Sequence, residues 1–168
     1  HAGQDRYVET WNAMEDLAER GLARSIGVSN FTIENLERVI EASSTVPAVN
    51  QIELHPLLQQ RELTAFGEAL GIRTEAWGPL GQGKADLAVE TPVLAEIAAA
   101  HGATLAQVVL AWHLAEGRII FPKSTKVERM RENLAAVELT LTADDLAAID
   151  AVNQNRRLAT DPVEFAFP

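Results

Sequence analysis

Apolar residues recur along this chain in two alternating rhythms, short unbroken runs and longer stretches at helical spacing. Four runs are rich in Val, Ile and aromatic residues and are flanked by Gly or Pro: ARSIGVSN around 23–30, PAVNQIEL around 47–54, GIRTEAW around 71–77 and GRIIFPK around 117–123. Each predicts a short buried strand. Between the runs the period lengthens. Residues 7–20 set Tyr7, Trp11, Met14 and Ala18 on one face, with Gly21 as a stop. Residues 32–42 open on Thr32 and repeat Ile33, Leu36, Val39 and Ile40. Residues 62–70 predict a shorter helix ending at Gly71. Thr91-Pro92 reads as an N-cap with proline in the first helical position, opening a helix that runs to His101-Gly102. Thr104 to Gln107 and Thr125 to Glu128 both fit the capping box, and a last helix follows Thr142. Residues 153–168 read as a tail.

The resulting order is a helix, then four strand–helix units with one extra helix. Such alternation predicts an α/β fold, with a parallel sheet and right-handed crossovers. Nearly continuous apolar runs suit strands covered on both faces. No linker, low-complexity block or repeat divides the chain, so residues 1–168 read as a single unit. An open doubly wound sheet would fit the length, but no glycine-rich dinucleotide turn follows the first strand. A complete (β/α)8 TIM barrel needs about 250 residues and eight strands. Four strands are half of one.

Composition narrows the partners. A formal net charge of −10, from 14 basic and 24 acidic residues, argues against nucleic acid, which needs clustered cations. No apolar run approaches the ~18 residues of a membrane span, and the N-terminus is unlike a signal peptide. The absence of cysteine removes disulfides, thiolate nucleophiles and most structural zinc sites. These features predict a soluble, acidic, cytoplasmic protein.

Polar residues gather at the C-terminal ends of the predicted strands: Ser29 and Asn30, Gln51 with Glu53 and His55, Trp77, then Lys123 and Ser124. In parallel α/β folds ligands bind at that edge. Any one of them could simply begin a loop, but four successive strands end this way. In KSTKVERMREN, Lys123, Lys126 and Arg129 stand beside a helix whose predicted N-cap is Thr125. Three cations, a helix dipole and free N–H groups suit a phosphate monoester, and Glu132 and Asn133 could read an adenine. The competing interpretation is a solvated helix with charge pairs such as Lys126 with Glu128 and Arg129 with Glu132.

Other chemistries are weaker. Gly78, Gly83 and Lys84 have P-loop spacing, but Ala85 stands where a hydroxyl must hold Mg²⁺, and no helix is predicted before Thr91-Pro92. His55, His101 and His113 lack ligand partners at helical spacing, so no metal is expected. His101 ends a helix, and His113 lies in a core-like run as a structural histidine. Glu53 and Glu75 could imitate a glycosidase pair, but strand carboxylates often form structural ion pairs and aromatics are only 5% of the chain.

Taken together, GLARSIGVSNF, PAVNQIELHP, EAWGPLGQGK and FPKSTKVERMREN resemble the aldo-keto reductase family in order and separation, most closely its bacterial branch that includes 2,5-diketo-D-gluconate reductases. The resemblance runs from about residue 5 to about 152. It implies the C-terminal half of a (β/α)8 TIM barrel, the N-terminal half being absent from this chain, and NADP(H)-dependent reduction of aldehydes or ketones. Ser29, Asn30 and Gln51 match the residues holding the nicotinamide carboxamide, and Trp77 matches the one stacking on its ring. Gly78, Leu80 and Gln82 match the loop over the pyrophosphate. Lys123, Ser124, Thr125 and Arg129, with Lys126 beside them, match the group around the 2′-phosphate, and Glu132 and Asn133 match adenine contacts. The family's catalytic Asp, Tyr and Lys come from the other half. Tyr7, the only tyrosine, reads as packing. The family's histidine sits in a His-Trp-Pro stretch just upstream of a helix like the first one here. His1 lies near that place, but no Trp-Pro follows and the spacing is short. Either intervening residues are missing or His1 is a tag remnant, the reading preferred here. The expected partners are a small carbonyl substrate and the missing barrel half or another copy, without which the fragment should be inactive. A non-catalytic NADP(H)-binding or regulatory barrel subunit is the alternative.

Overall fold

The computed structural model describes residues 6–164, so His1 lies outside the described residues. The elements follow in the order α1 (Arg6–Glu19), β1 (Val28–Ser29), α2 (Ile33–Ala42), β2 (Val49–Glu53), α3 (Arg61–Ala69), β3 (Arg73–Trp77), α4 (Leu87–Glu90), α5 (Pro92–His101), α6 (Leu105–Ala115), β4 (Ile119–Ile120), α7 (Val127–Ala135) and α8 (Ala143–Asp150). The four parallel strands form one sheet in chain order. β1 pairs with β2 through Val28 with Asn50 and Ser29 with Gln51. No single helix among the described residues is long and apolar enough to cross a membrane.

The chain divides into two compact units. The described residues up to Ile52, with Arg61–Glu75 and the stretch from Ala159, make one; Glu53–Gln60 and Ala76–Leu158 make the other. In the first unit the apolar stripe of α1 works as its period predicts. Trp11 is 1% exposed and packs with Ile26 and Val39, and Tyr7, Met14 and Ala18 lie against that cluster. The Trp11 indole donates to Ser43 Oγ at 2.9 Å, so burial leaves no orphaned donor. Tyr7 meets Phe31 edge to face at 5.4 Å, the packing role read from its position.

The second unit is pinned by an internal polar network. Residues 53–59 are buried throughout. Gln59 donates from Nε2 to the carbonyls of Pro56 and Ile149, both at 3.0 Å. Gln154 and Arg156 both donate backbone N–H groups to Leu57 O. Residues 153–158 carry no helix or strand, as a tail should, yet they are strapped down rather than loose.

Three capping boxes form: Thr32 with Asn35, Thr104 with Gln107 and Thr142 with Asp145. Thr91 holds the N-cap position of α5 with Pro92 in the first turn, as predicted, but it makes no side-chain cap, because its buried hydroxyl donates back to Leu87 O and closes the preceding turn. Thr125, by contrast, is not an N-cap. Lys126 holds that position without a side-chain cap, because Ser124 Oγ accepts the Lys126 N–H at 3.1 Å and uses the turn first. A further helix, α4, precedes Thr91-Pro92; Asp86 caps it by accepting from Ala88 and Val89. The outer runs are also shorter strands than their apolar length suggests. β1 and β4 hold two residues each and stay partly exposed, since an end strand has a ladder on one side only.

Candidate functional site

Where β1 ends, the chain turns through Asn30 at φ 58, a left-handed conformation that Asn tolerates better than most residues. The turn is stapled to β2. Asn30 N–H and Ser29 Oγ both donate to Gln51 O, at 2.9 and 3.0 Å. Gln51 Nε2 donates to Glu75 Oε2 at 2.9 Å, which fixes the amide and turns its carbonyl oxygen into the available acceptor. Ser29, Asn30 and Gln51 are thus brought together as the sequence predicts. Asn50 was not singled out in the sequence, although a buried amide inside an apolar strand is a recognisable signal.

In the second unit, Trp77 ends β3 half-buried, and its carbonyl accepts Leu54 N–H at 3.2 Å. The following loop bends through left-handed backbone at Gly78, Gly81, Gln82 and Gly83. At Gly78 the left-handed φ of 64 strains any side chain, and a Cβ would also press on Gln82 Cγ at 3.2 Å, so glycine suits this close turn. Leu80 lies between, half-buried. This is a compact loop with no P-loop hydroxyl.

Lys123, Thr125, Lys126 and Arg129 are all exposed around the start of α7. Among the described residues no ion pair engages Lys123, Lys126 or Arg129, so the charge pairs of a merely solvated helix do not form. The missing Thr125 cap leaves the first-turn N–H groups without a side-chain acceptor. Asn133 Nδ2 donates to Pro122 O at 3.3 Å, tying α7 to the segment after β4, while Glu132 O accepts from Gln107.

The remaining titratable candidates are structural. Glu53 Oε1 meets His55 Nε2 at 3.1 Å and accepts Leu158 N–H at 2.6 Å, and Arg157 lies 3.7 Å from Oε2. Burial holds the His55 imidazole below its usual pKa against the opposing pull of Glu53, with Arg156 and Arg157 lowering it further. Burial, then Arg118, pushes His113 well below the usual histidine range, partly offset by the Pro79 carbonyl. Both rings are therefore neutral near pH 7. His101 bonds Asp145 at 2.8 Å. Among the described residues no cluster of three or more metal-ligating side chains forms.

The model of the aldo/keto reductase family matches residues 2–154. Methylglyoxal reductase DkgA of Escherichia coli (strain K12) is 42% identical over 161 residues, covering 96% of this chain and 58% of the relative. The uncharacterized oxidoreductase YtbE of Bacillus subtilis (strain 168) is 43% identical over 164 residues, covering 98% of this chain and 58% of that protein. A crystal structure of a Gox0644 mutant in complex with NADPH matches with a TM-score of 0.89 at 46% identity, over 95% of this chain and 58% of its own. The chain spans less than two thirds of the length of the relatives it matches.

Proposed function

Because the chain belongs to the aldo/keto reductase family, we propose that it forms the NADP(H)-holding part of a cytoplasmic enzyme that reduces aldehydes or ketones to alcohols. The observation that carries this reading is the start of α7. Exposed Lys123, Lys126 and Arg129 stand outside any ion pair among the described residues, at a helix start with no side-chain cap. Cations and amide donors left without protein partners suit an oxyanion, and a 2′-phosphate is the one that separates NADPH from NADH. The NADPH complex of the similar Gox0644 mutant supports the same choice.

On this reading Ser124 and Thr125 join the three cations around the 2′-phosphate. Glu132 and the Asn133 carbonyl oxygen face the adenine. Gly78, Leu80 and Gln82 pass along the pyrophosphate, where glycine lets backbone approach closely. Trp77 offers a ring for the nicotinamide to stack on, and Ser29, Asn30 and Gln51 orient its carboxamide. Bound NADPH supplies the hydride that a carbonyl carbon takes up. The chain's own part is to orient one ring and to anchor the far phosphate.

The four strands are proposed as half of an eight-stranded barrel, with β1 and β4 pairing to a complementary half or to another copy. A small carbonyl compound such as methylglyoxal, named for the similar DkgA, is the proposed substrate. Titrating the complete protein with NADPH and NADH by tryptophan fluorescence tests the reading. NADPH should bind at least about tenfold tighter, the scale of one charge-assisted hydrogen bond. Equal affinities would contradict it.

A further inference from the structure

Asn50 is 4% exposed, and its amide spends both of its ends on one residue of the turn after β1. Its Oδ1 accepts Phe31 N–H at 3.3 Å, and its Nδ2 donates to Phe31 O at 3.0 Å. The next residue of β2, Gln51, accepts from Ser29 Oγ and Asn30 N–H through its carbonyl. Four hydrogen bonds therefore join the dipeptide 50–51 to three successive residues, 29–31. Between the two anchors sits Asn30, in left-handed backbone at φ 58. Such a conformation is uncommon for an L-residue, though Asn tolerates it better than most, and here its neighbours on both sides fix it. The Phe31 side chain adds a further fix, its ring against Tyr7.

We infer that Asn50 is a positioning residue for the carboxamide-binding turn: its clamp on Phe31 holds Asn30 left-handed and so sets the direction of the Ser29 and Asn30 polar groups. This inference rests on the NADP(H) reading above. Asn50 touches no cofactor itself. No other residue type of its size offers a donor and an acceptor on two separate atoms, as the Phe31 carbonyl and N–H require, and a buried amide left unpaired would be costly. Asp at position 50 keeps the acceptor but loses the donor to Phe31 O.

The experiment is calorimetric titration of the complete protein, wild type and Asn50→Asp, with NADPH and with adenosine 2′,5′-bisphosphate. The bisphosphate carries the phosphate end and no nicotinamide. The expected result is a loss of about tenfold or more in NADPH affinity, with bisphosphate affinity changed less than about twofold, since the lost bond acts on one end only. Asn50→Ser is neutral and too short to reach both Phe31 groups; it should reproduce the split and serves if the aspartate variant fails to fold. Equal losses for both ligands would show a general structural role and overturn the inference, as would unchanged NADPH binding. A wild type that binds neither ligand would overturn the NADP(H) reading first and this inference with it.

Discussion

The turn after β1 and the start of α7 are built in opposite ways. At the turn, the backbone and side-chain groups of residues 29–31 are met by Asn50 and Gln51, and a left-handed residue is held in place. At α7 the cap is missing, and the cations stand exposed without ion pairs among the described residues. The difference follows the chemistry each region is proposed to recognise. A carboxamide is neutral and directional, so its donors and acceptors must be aimed before it arrives. A phosphate is small, charged and nearly isotropic, so flexible cations and amide N–H groups can close on it from several directions. On the proposed reading, rigidity supplies selection in the first region, and unmet charge supplies affinity in the second.

The most disruptive way to probe this contrast is to break the second region. Arg129→Ala in the complete protein should weaken NADPH binding by about 1.5–3 kcal/mol, with little change for NADH. Fluorescence titration of both cofactors reads this out, and equal losses would remove the phosphate assignment. Breaking the first region should act on the fold as well as on the ligand. Asn50→Leu leaves the Phe31 N–H and carbonyl without their buried partner, and thermal unfolding should show a loss of about 1–3 kcal/mol. Arg129→Ala should leave that unfolding curve unchanged, because the guanidinium is exposed and outside any ion pair among the described residues. Trp77→Ala should cost about 1 kcal/mol of NADPH affinity, a stacking-scale effect, and should abolish much of the fluorescence quenching. Persistent quenching in that variant would mean that another tryptophan is the reporter.

The smallest expected effect lies outside both regions. Thr142→Ala removes the α8 capping box and should cost about 1 kcal/mol near pH 7. The Thr142 hydroxyl and N–H, with His101 assisting, hold the Asp145 carboxyl below its usual pKa. A carboxyl depressed in the folded state stabilises above its unfolded pKa, and that contribution fades as pH falls through the lower folded value. The gap between wild type and variant should therefore narrow on acidification below about pH 4, the unperturbed aspartate range, leaving the part due to Asp145 N–H donating to Thr142 Oγ. A gap that widens there would reverse the assigned sign.

Legibility followed the range of the interaction. The box at Thr104 is legible because cap and partner lie three residues apart, whereas Thr32 and Thr142 are legible only as helix openings, their partners Asn35 and Asp145 departing from the usual Glu or Gln. Thr125 fits a capping box by spacing, but Ser124, which matches no capping pattern, takes the Lys126 N–H instead. Thr91 fits a cap by sequence, but α4 comes before it, a four-residue helix too short to show a period. The outer strands are shorter than their apolar runs because apolar content marks burial, whereas ladder length depends on the neighbouring strand. The candidate site residues are drawn from motif and from their place at strand ends. The Asn50 clamp is not legible in this way, since its partner lies 19 residues away and only the fold brings them together.

The central claim is that residues 123–133 hold a 2′-phosphate, and the adenosine half of the cofactor isolates it. Calorimetry should compare adenosine 2′,5′-bisphosphate with 5′-AMP on the complete wild-type protein and on a Lys126→Ala/Arg129→Ala variant. The account predicts that the wild type binds the bisphosphate at least about tenfold tighter than 5′-AMP, and that the variant loses this preference while its weak affinity for 5′-AMP stays the same. A wild type indifferent to the 2′-phosphate, or a variant that keeps the preference, would contradict it.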